Sequence, residues 1–482
     1  MTLYQCIAGQ AESMIATGVL RAGERLPSVR EMCRSHGVSA VTVMQAYYLL
    51  ESRGLIEARP RSGYFVRARL GLGLPEPHMP RPAGGSAPLQ VSDFIFQILD
   101  SVRDRSVLPL GSSFPAPELF PFRSLGRFLA AAGRRLAPQD TVTDLPPGNA
   151  ALRRQIALRY HARGAAVSPE EIVITSGAME ALNLCLQAVT RPGDVIAVES
   201  PTFYAGLQAS ERLGLKVIEI PSHARDGVSV EALEAVLRTQ PVKACLFMLN
   251  FANPSGALVP AVRRAALVDL LRRYQVPLIE DDVYAELHFG AEPPPCTRAL
   301  QADGLVMHVS SFSKCLAPGF RVGWVAGGRF ASRIVRQKLT TSLATTVAVQ
   351  DALADYLQHG GYDRHLRQLR QRLAQGEAAM VEAVVRHFPP DTRLVRPAGG
   401  YFLWLELPAG ADALALHQAA LACGISLAPG PIFSAQREFG RCIRLNFGHP
   451  LADGVDAAIA TLAALLRAQR GGESVHIKNR TD

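Results

Sequence analysis

The sequence predicts a protein of two unlike parts: an α+β winged helix-turn-helix at the N-terminus, and a larger α/β body with a smaller C-terminal α/β portion. Three observations predict this. Three short, capped helical segments and two alternating runs fill residues 1–70. A Pro/Gly-rich stretch, 71–89, then interrupts all periodicity. From about residue 112, short β-rich runs alternate with amphipathic helical segments, the pattern of a mostly parallel sheet covered on both faces. The expected division is therefore a head, 1–70; a connecting segment, 71–111; and a body, 112–482. The large part of the body is expected to end near 350, and the small part to span 351 to about 470.

At 482 residues the chain exceeds one ordinary core. Hydrophobic residues at 48% and charged residues at 19% exclude a disordered chain. The net charge of +9 is compatible with a polyanionic partner. The eight cysteines are scattered, with no Cys-x-x-Cys pair and no His/Cys cluster at zinc spacing. Buried thiols in a reducing cytoplasm are expected, with no metal site. The N-terminus shows no secretory pattern, and no apolar run is long enough to cross a bilayer. A cytoplasmic protein without membrane contact is expected.

In the head, nine Arg and no Lys stand against five Glu, a local balance of +4. Tyr4, Ile7, Ala11, Met14 and Ile15 keep a helical period, and Gly18 ends it. Ser28 caps a second helix, Glu31 closes its capping box and Gly37 stops it. Ser39 caps a third, with Val43, Ala46, Tyr47 and Leu50 on one face and Gly54 at its end. Residues 55–59 and 64–66 alternate across Pro60-Arg61-Ser62-Gly63, which predicts a hairpin ending at Gly63. In such a module the third helix presents its N-terminal residues to a major groove of double-stranded DNA. Ser39, Thr42 and Gln45 lie off its apolar face. Arg30, Arg59 and Arg61, beside the turn at Gly63, are placed for phosphates or a minor groove. A small protein-interaction module is the competing reading.

The stretches Gly23-Glu-Arg-Leu-Pro-Ser-Val-Arg-Glu31, Gly37-Val-Ser39, Ala46-Tyr47, Leu50-Glu51, Gly54-Leu-Ile-Glu-Ala-Arg-Pro60 and Ser62-Gly63 resemble the GntR family of bacterial regulators. The resemblance covers nearly the whole head. One position departs: that family often carries a basic residue just after the cap of the recognition helix, where this chain has Ala40.

Residues 71–89 read as a semi-rigid tether, and 93–104 as a helix. Strands are expected at 171–175, 194–199, 244–249, 276–279 and 305–309, with helices at 230–237 and 261–274. Ligands of such sheets bind outside the carboxyl ends of the strands, and the polar motifs fall there. After the last of these strands stands Ser310-Ser-Phe-Ser-Lys314, followed by a Pro-Gly turn and Arg321. A lysine held out of water at a strand end has a lowered pKa, and its amine becomes a nucleophile toward an aldehyde. Ser311, Ser313 and Arg321 supply hydroxyls and a bidentate cation for a phosphate. Aldehyde plus phosphate describes pyridoxal 5′-phosphate (PLP).

The other strand ends suit the same ligand. Ser176, Gly177 and Ala178 open a helix whose free N–H groups favour an anion. Tyr204 offers a ring to stack on an aromatic ligand. Asn253, in Asn253-Pro-Ser-Gly256, and Tyr284 can bond a phenolic oxygen. Asp281 is the carboxylate for a pyridine nitrogen, with Asp282 as its possible replacement.

This order of motifs resembles the class I aminotransferases of PLP fold type I from about residue 115 to 470, continuing into Pro397-Ala-Gly-Gly-Tyr-Phe-Leu-Trp404 and Cys442-Ile-Arg444-Leu-Asn-Phe447. The resemblance implies that Arg444 binds the α-carboxylate of an amino acid through its planar fork. One feature departs. Relatives place a tyrosine, donated to the neighbouring subunit's phosphate, shortly before the segment that is here Gly148-Asn-Ala-Ala-Leu-Arg153; this chain has none there, and Thr141 or Thr143 is the substitute on offer.

Head and body together resemble the MocR group of regulators. That implies a PLP-dependent transcription factor, a homodimer, whose effector is an amine, an amino acid or a B6 vitamer. If the body has two arrangements, differential affinity for the effector shifts their populations and moves the heads. Two rivals stay open: an active PLP-dependent aminotransferase with an accessory DNA-binding domain, and a scaffold that no longer binds PLP.

Overall fold

The computed structural model describes residues 3–17, 19–21, 23–52, 55–59, 62–66, 74–82, 84–100, 106–300, 303–449 and 454–471. The head comprises α1 (Leu3–Ala16), α2 (Val29–His36), α3 (Ala40–Ser52), β1 (Ile56–Arg59) and β2 (Gly63–Val66). Both halves of the capping box at Ser28 form: Glu31 N–H donates to Ser28 Oγ at 3.3 Å, and Ser28 N–H donates to Glu31 Oε2 at 2.7 Å. Gly37 ends α2 at φ 63°, a left-handed value that glycine adopts without strain. Ser39 Oγ accepts from Thr42 N–H at 3.3 Å and so caps α3. Val43, Ala46, Tyr47 and Leu50 face inward against Ile7, Ala11, Leu26 and Val66, a core separate from that of the body. β1 and β2 pair antiparallel, Ile56 opposite Val66 and Arg59 opposite Gly63. The expected stops at Gly18 and Gly54, and Pro60 and Arg61 of the turn, lie outside the described residues.

The connecting segment contains β3 (Ala87–Pro88) and α4 (Ser92–Asp100). The helix expected over 93–104 is described only to Asp100. The large part follows with α5 (Phe122–Arg135), α6 (Asp140–Thr143), α7 (Ala150–Ala162), β4 (Ile172–Thr175), α8 (Ala178–Val189), β5 (Val195–Ser200), α9 (Tyr204–Arg212), β6 (Lys216–His223), β7 (Gly227–Val228) and α10 (Val230–Thr239). It continues with β8 (Val242–Phe247), α11 (Ala261–Tyr274), β9 (Leu278–Asp281), β10 (Val306–Ser311), β11 (Gly323–Ala326), α12 (Ala331–Thr341) and α13 (Val347–His359).

Its sheet runs β3-β6-β5-β8-β9-β10-β11-β4, with β7 beside β6. The centre, from β6 to β10, is parallel, and β11 pairs antiparallel with both β10 and β4. Successive residues of one strand serve opposite faces. Ile196, Val198, Ala244 and Leu246 join the core beneath α8 and α9, while Val195, Ala197, Cys245 and Phe247 join that beneath α10 and α11. Burial on both faces is why these strands read as unbroken apolar runs. The five expected strands are β4, β5, β8, β9 and β10. β6 escaped sequence reading because Lys216, Glu219 and Pro221 interrupt its apolar run.

The small part holds α14 (Tyr362–His387), β12 (Arg393–Leu394), β13 (Phe402–Glu406), α15 (Ala413–Ala422), β14 (Ala428–Pro429), β15 (Cys442–Asn446) and α16 (Val455–Gly471), its antiparallel sheet ordered β12-β13-β15-β14. Part of the tether, residues 74–82, lies across both parts of the body. Leu394 N–H donates to Pro75 O at 3.0 Å and Arg393 Nη1 to Glu76 O at 3.2 Å. Arg225 Nε donates to Glu76 Oε1 at 2.9 Å, and His78 N–H to Glu406 Oε2 at 2.7 Å. Among the described residues no helix is long and apolar enough to cross a membrane.

Candidate cofactor and DNA-reading sites

Strand β10 delivers its carboxyl end to the site, and Lys314 stands three residues beyond it. Its Nζ donates to Ser113 O at 2.9 Å and lies 3.7 Å from the centroid of the Phe114 ring. Burial, with the positive charges of Arg444 and Arg321, lowers its pKa to about 7, against the opposing pull of Asp281.

Asp281 and Asp282 are neighbours in sequence with different surroundings. Asp282 is fully engaged: Asn250 Nδ2 donates to Oδ1 at 2.7 Å, and Oδ2 lies 2.8 Å from His308 Nε2 and 3.3 Å from Arg163. Burial alone would raise its pKa, but Arg163, His308 and Asn250 hold it below the ordinary value. Asp281 faces a cavity, and its Oδ1 has no partner among the described residues although the residue is only 4% exposed. Burial, reinforced by Asp282, pushes its pKa up to about 7. Of the two, Asp281 is the carboxylate available to a bound ligand.

Behind it stands a buried polar network. Arg264, 0% exposed, donates to Glu280 Oε1 at 3.0 Å, Thr297 Oγ1 at 2.8 Å, Leu249 O at 3.0 Å and Asn250 Oδ1 at 2.6 Å. His308 Nδ1 lies 2.8 Å from Tyr160 OH, which accepts from Trp324 Nε1 at 3.0 Å. Glu280, Asp282 and His308 bring ligand atoms within 4.8 Å of one another. Arg264 and Arg163 already neutralise the two carboxylates, so the trio is a structural salt-bridge cluster.

The cavity measures about 240 Å³, and Ala178, Tyr204, Asp281, Tyr284, Ser311, Ser313, Lys314 and Arg321 line it together. Arg321 is exposed, donates to Ser313 Oγ at 3.3 Å and reaches Ser176 O at 3.5 Å. Gly177 sits directly against that guanidinium at φ 91°; a Cβ there would lie 2.5 Å from Arg321 Nη2. Ser176 and Gly177 therefore support the cation without lining the cavity, and the N–H of Ser176 is taken by Glu180 Oε2. Tyr204 OH lies 3.1 Å from Ser113 Oγ, and the Tyr284 ring packs edge-on against Tyr401.

Asn253 and Arg444 do not line the cavity. Arg444, 1% exposed, donates through Nη1 to Asn253 Oδ1 at 2.8 Å and through Nη2 to Gly111 O at 2.6 Å, with its guanidinium 4.1 Å from the centroid of Phe402. Its Nε and the Asn253 Nδ2 have no partner among the described residues. Sequence reasoning missed the wall that separates this pair from Lys314. Residues 111–114 form it, with Ser113 O accepting from both Lys314 and Tyr401 OH. The Gly-Ser-Ser-Phe-Pro run at 111–115 was the available signal. Met179, Phe203 and Met248 of the lining were also missed.

In the head, Arg30, Ser39 and Gln45 are exposed and Thr42 is half-buried, its Oγ1 2.9 Å from Ser39 Oγ. Gly63 is exposed at φ 99°. Arg59 lies on β1, and Arg61 lies outside the described residues.

The same division appears in comparison with known proteins. Residues 125–462 match the family model for aminotransferase class I and II, and residues 3–66 that for bacterial regulatory proteins of the gntR family. The chain belongs to the class I and II aminotransferase family, fused to a GntR DNA-binding head, the build of the MocR group of transcriptional regulators. An Escherichia coli protein named as an HTH-type transcriptional regulator, YdcR, is 45% identical over 467 residues, 97% of this chain and 99% of that one. The solved multiple substrate aminotransferase of Thermococcus profundus superposes with a TM-score of 0.74 at 28% identity, covering 80% of this chain and 96% of that one. LysN, the alpha-aminoadipate aminotransferase of Thermus thermophilus, solved with N-(5′-phosphopyridoxyl)-L-leucine, gives 0.71 at 27% identity, covering 80% of this chain and all of that one, 100%.

Proposed function

We propose that the protein is a PLP-dependent transcription regulator, with its head at 1–70, a tether and connecting helix at 71–111 and a sensing body at 112–482. One observation carries the reading: a single cavity in a chain with a DNA-binding head brings together an amine of lowered pKa, an unpartnered buried carboxylate oxygen and an exposed guanidinium. These three suit the aldehyde, ring nitrogen and phosphate of PLP. The phosphopyridoxyl compound in the LysN structure supports the choice. When bound, PLP supplies an electrophilic aldehyde and an electron-accepting ring.

The chain's own groups have separable tasks. Lys314 is the amine that captures the aldehyde. Asp281 holds a proton on the ring nitrogen, and the low polarity around it strengthens that contact. Arg321, Ser311, Ser313 and the N-terminus of α8 balance the phosphate charge. Tyr204 walls the ring and Tyr284 serves the phenolic oxygen; Asn253, bonded to Arg444 outside the cavity, would join it only with the wall at 111–114 moved aside. Thr141 and Thr143 remain the candidates for the partner-subunit phosphate contact in a homodimer; their side chains lie outside the described residues. An effector carboxylate that takes Arg444 has to displace Gly111 O from its fork. Because the free amine is the nucleophile, the rate of PLP capture should rise with pH through an inflection near 7 and then level off, whereas an ordinary lysine would climb to about 10.4. Stopped-flow absorbance across this range reads the inflection.

The effector is an amine, an amino acid or a B6 vitamer, and the natural target is double-stranded DNA near the chain's own gene. Footprinting of that DNA by the full-length protein, with and without PLP and a panel of amines, tests the regulator. Its apparent affinity should change about 5- to 150-fold, the usual range of allosteric coupling. An affinity indifferent to every addition sinks the proposal. The second reading, an aminotransferase with an accessory head, is favoured by the nearly full set of cavity residues. Turnover at about 1 s⁻¹ or faster with an amino donor and a keto acid would establish it.

A further inference from the structure

Helix α3 turns Val43, Ala46, Tyr47 and Leu50 into the core of the head. Its other side is also apolar. Val41 is 65% exposed, Met44 38% and Tyr48 52%, and Gln45 is exposed among them. Positions i, i+3 and i+7 share one helical face, so these three form a stripe. From Ala40 to Leu50 the helix carries no charged side chain; Glu51 is the first. Among the described residues of the head, the exposed arginines stand on neighbouring elements: Arg21 and Arg25 before α2, and Arg30 and Arg34 on α2. Charge that suits phosphates therefore flanks a helix that offers none.

Base edges in a major groove are told apart by donors, acceptors and the thymine methyl group. Guanine is read best by Arg or Lys, adenine by Asn or Gln, and the thymine methyl by apolar contact. Beside the hydroxyls of Ser39 and Thr42, which serve either base pair, the exposed face of α3 has no guanine reader, one amide and an apolar stripe. We infer that α3 selects A·T pairs, with Gln45 on adenine N6 and N7 and with Val41 and Met44 packed on thymine methyl groups. The inference rests on the proposed DNA-reading role of the head and adds its sequence class. Duplex DNA fits this face because the flanking arginines are complementary to its phosphates, while the apolar centre matches the only apolar groups that base edges present.

The test starts from duplexes selected out of a random pool by the full-length protein. A·T pairs should dominate the selected half-site. Resynthesis with deoxyuridine for thymidine removes the methyl groups alone. Each contacted methyl lost should weaken binding about fourfold, the equivalent of about 0.8 kcal/mol for one buried carbon. In the Val41→Ala/Met44→Ala double variant this deoxyuridine penalty should shrink toward onefold, while the salt dependence set by phosphate contacts stays as in the parent. Gln45→Ala should relax the adenine preference at one position. G·C pairs across the contacted positions, or equal affinity for the uridine duplex, overturns the inference. So does a double variant that keeps the penalty but loses self-association, because the stripe is then a protein interface. A pool that yields no bound duplex defeats the DNA-reading role itself.

Discussion

Replacing Lys314 with alanine is expected to leave a folded protein that holds no PLP covalently. The parent, incubated with PLP, should gain a visible absorption band, and borohydride should fix a mass increment on Lys314. Both should vanish in Lys314→Ala, and operator affinity should no longer respond to PLP. No neighbour can stand in for the amine. Arg321 presents a planar guanidinium of N–H donors rather than an amine. Lys338, another buried lysine, is held by Glu180 at 3.0 Å and by Ser342 at 3.1 Å. Removing the cation also deprives Asp281 of a group that favours its charged form, so its carboxyl should move further up from about 7. Absorbance, intact mass and DNA affinity measured on one preparation check all three outcomes. A band that survives in the variant would place the capturing amine elsewhere.

The second large effect is expected at Arg264, which touches no ligand. Arg264→Met leaves the Glu280 carboxylate buried without its cation, and Leu249 O and Asn250 without a donor. Breaking a buried pair from one side costs about 3–5 kcal/mol. Calorimetric unfolding of the variant should show that loss as a clear drop in midpoint. The double variant Arg264→Met/Glu280→Leu should recover part of it, because no unpaired charge remains. Equal midpoints for the parent and Arg264→Met would mean that the cluster is hydrated or rearranged. The network also fixes Asn250 against Asp282, so Arg264→Met should weaken PLP binding as a secondary effect.

The parts of this protein that were legible in its sequence are those decided locally. A capping box joins residues three apart, so Ser28 and Glu31 announced α2. The lysine motif sits on a strand end with Arg321 seven residues on, and Tyr204 and Asp281 lie within a few residues of strands whose apolar runs were plain. What stayed hidden depends on long-range contacts. The carbonyl of Ser113 reaches Lys314 across 201 positions, and Arg444 meets Asn253 across 191. No periodicity reports such pairings. The choice between Asp281 and Asp282 was likewise open in sequence, because it turns on which one Arg163, His308 and Asn250 claim. Strand β6 was hidden for a different reason: its charged residues and proline interrupt the apolar run of Val217, Ile218 and Ile220, which the helices flanking the sheet bury.

Residues 74–82 are moored on two banks. Glu76 is tied to Arg225 on the large part, while Pro75, Glu76 and His78 are tied to Leu394, Arg393 and Glu406 on the small part. A hinge between those parts cannot swing with every knot intact. Turning one part against the other would therefore require one set of these ties to let go, and residues 74–82 would travel with the part that keeps its hold.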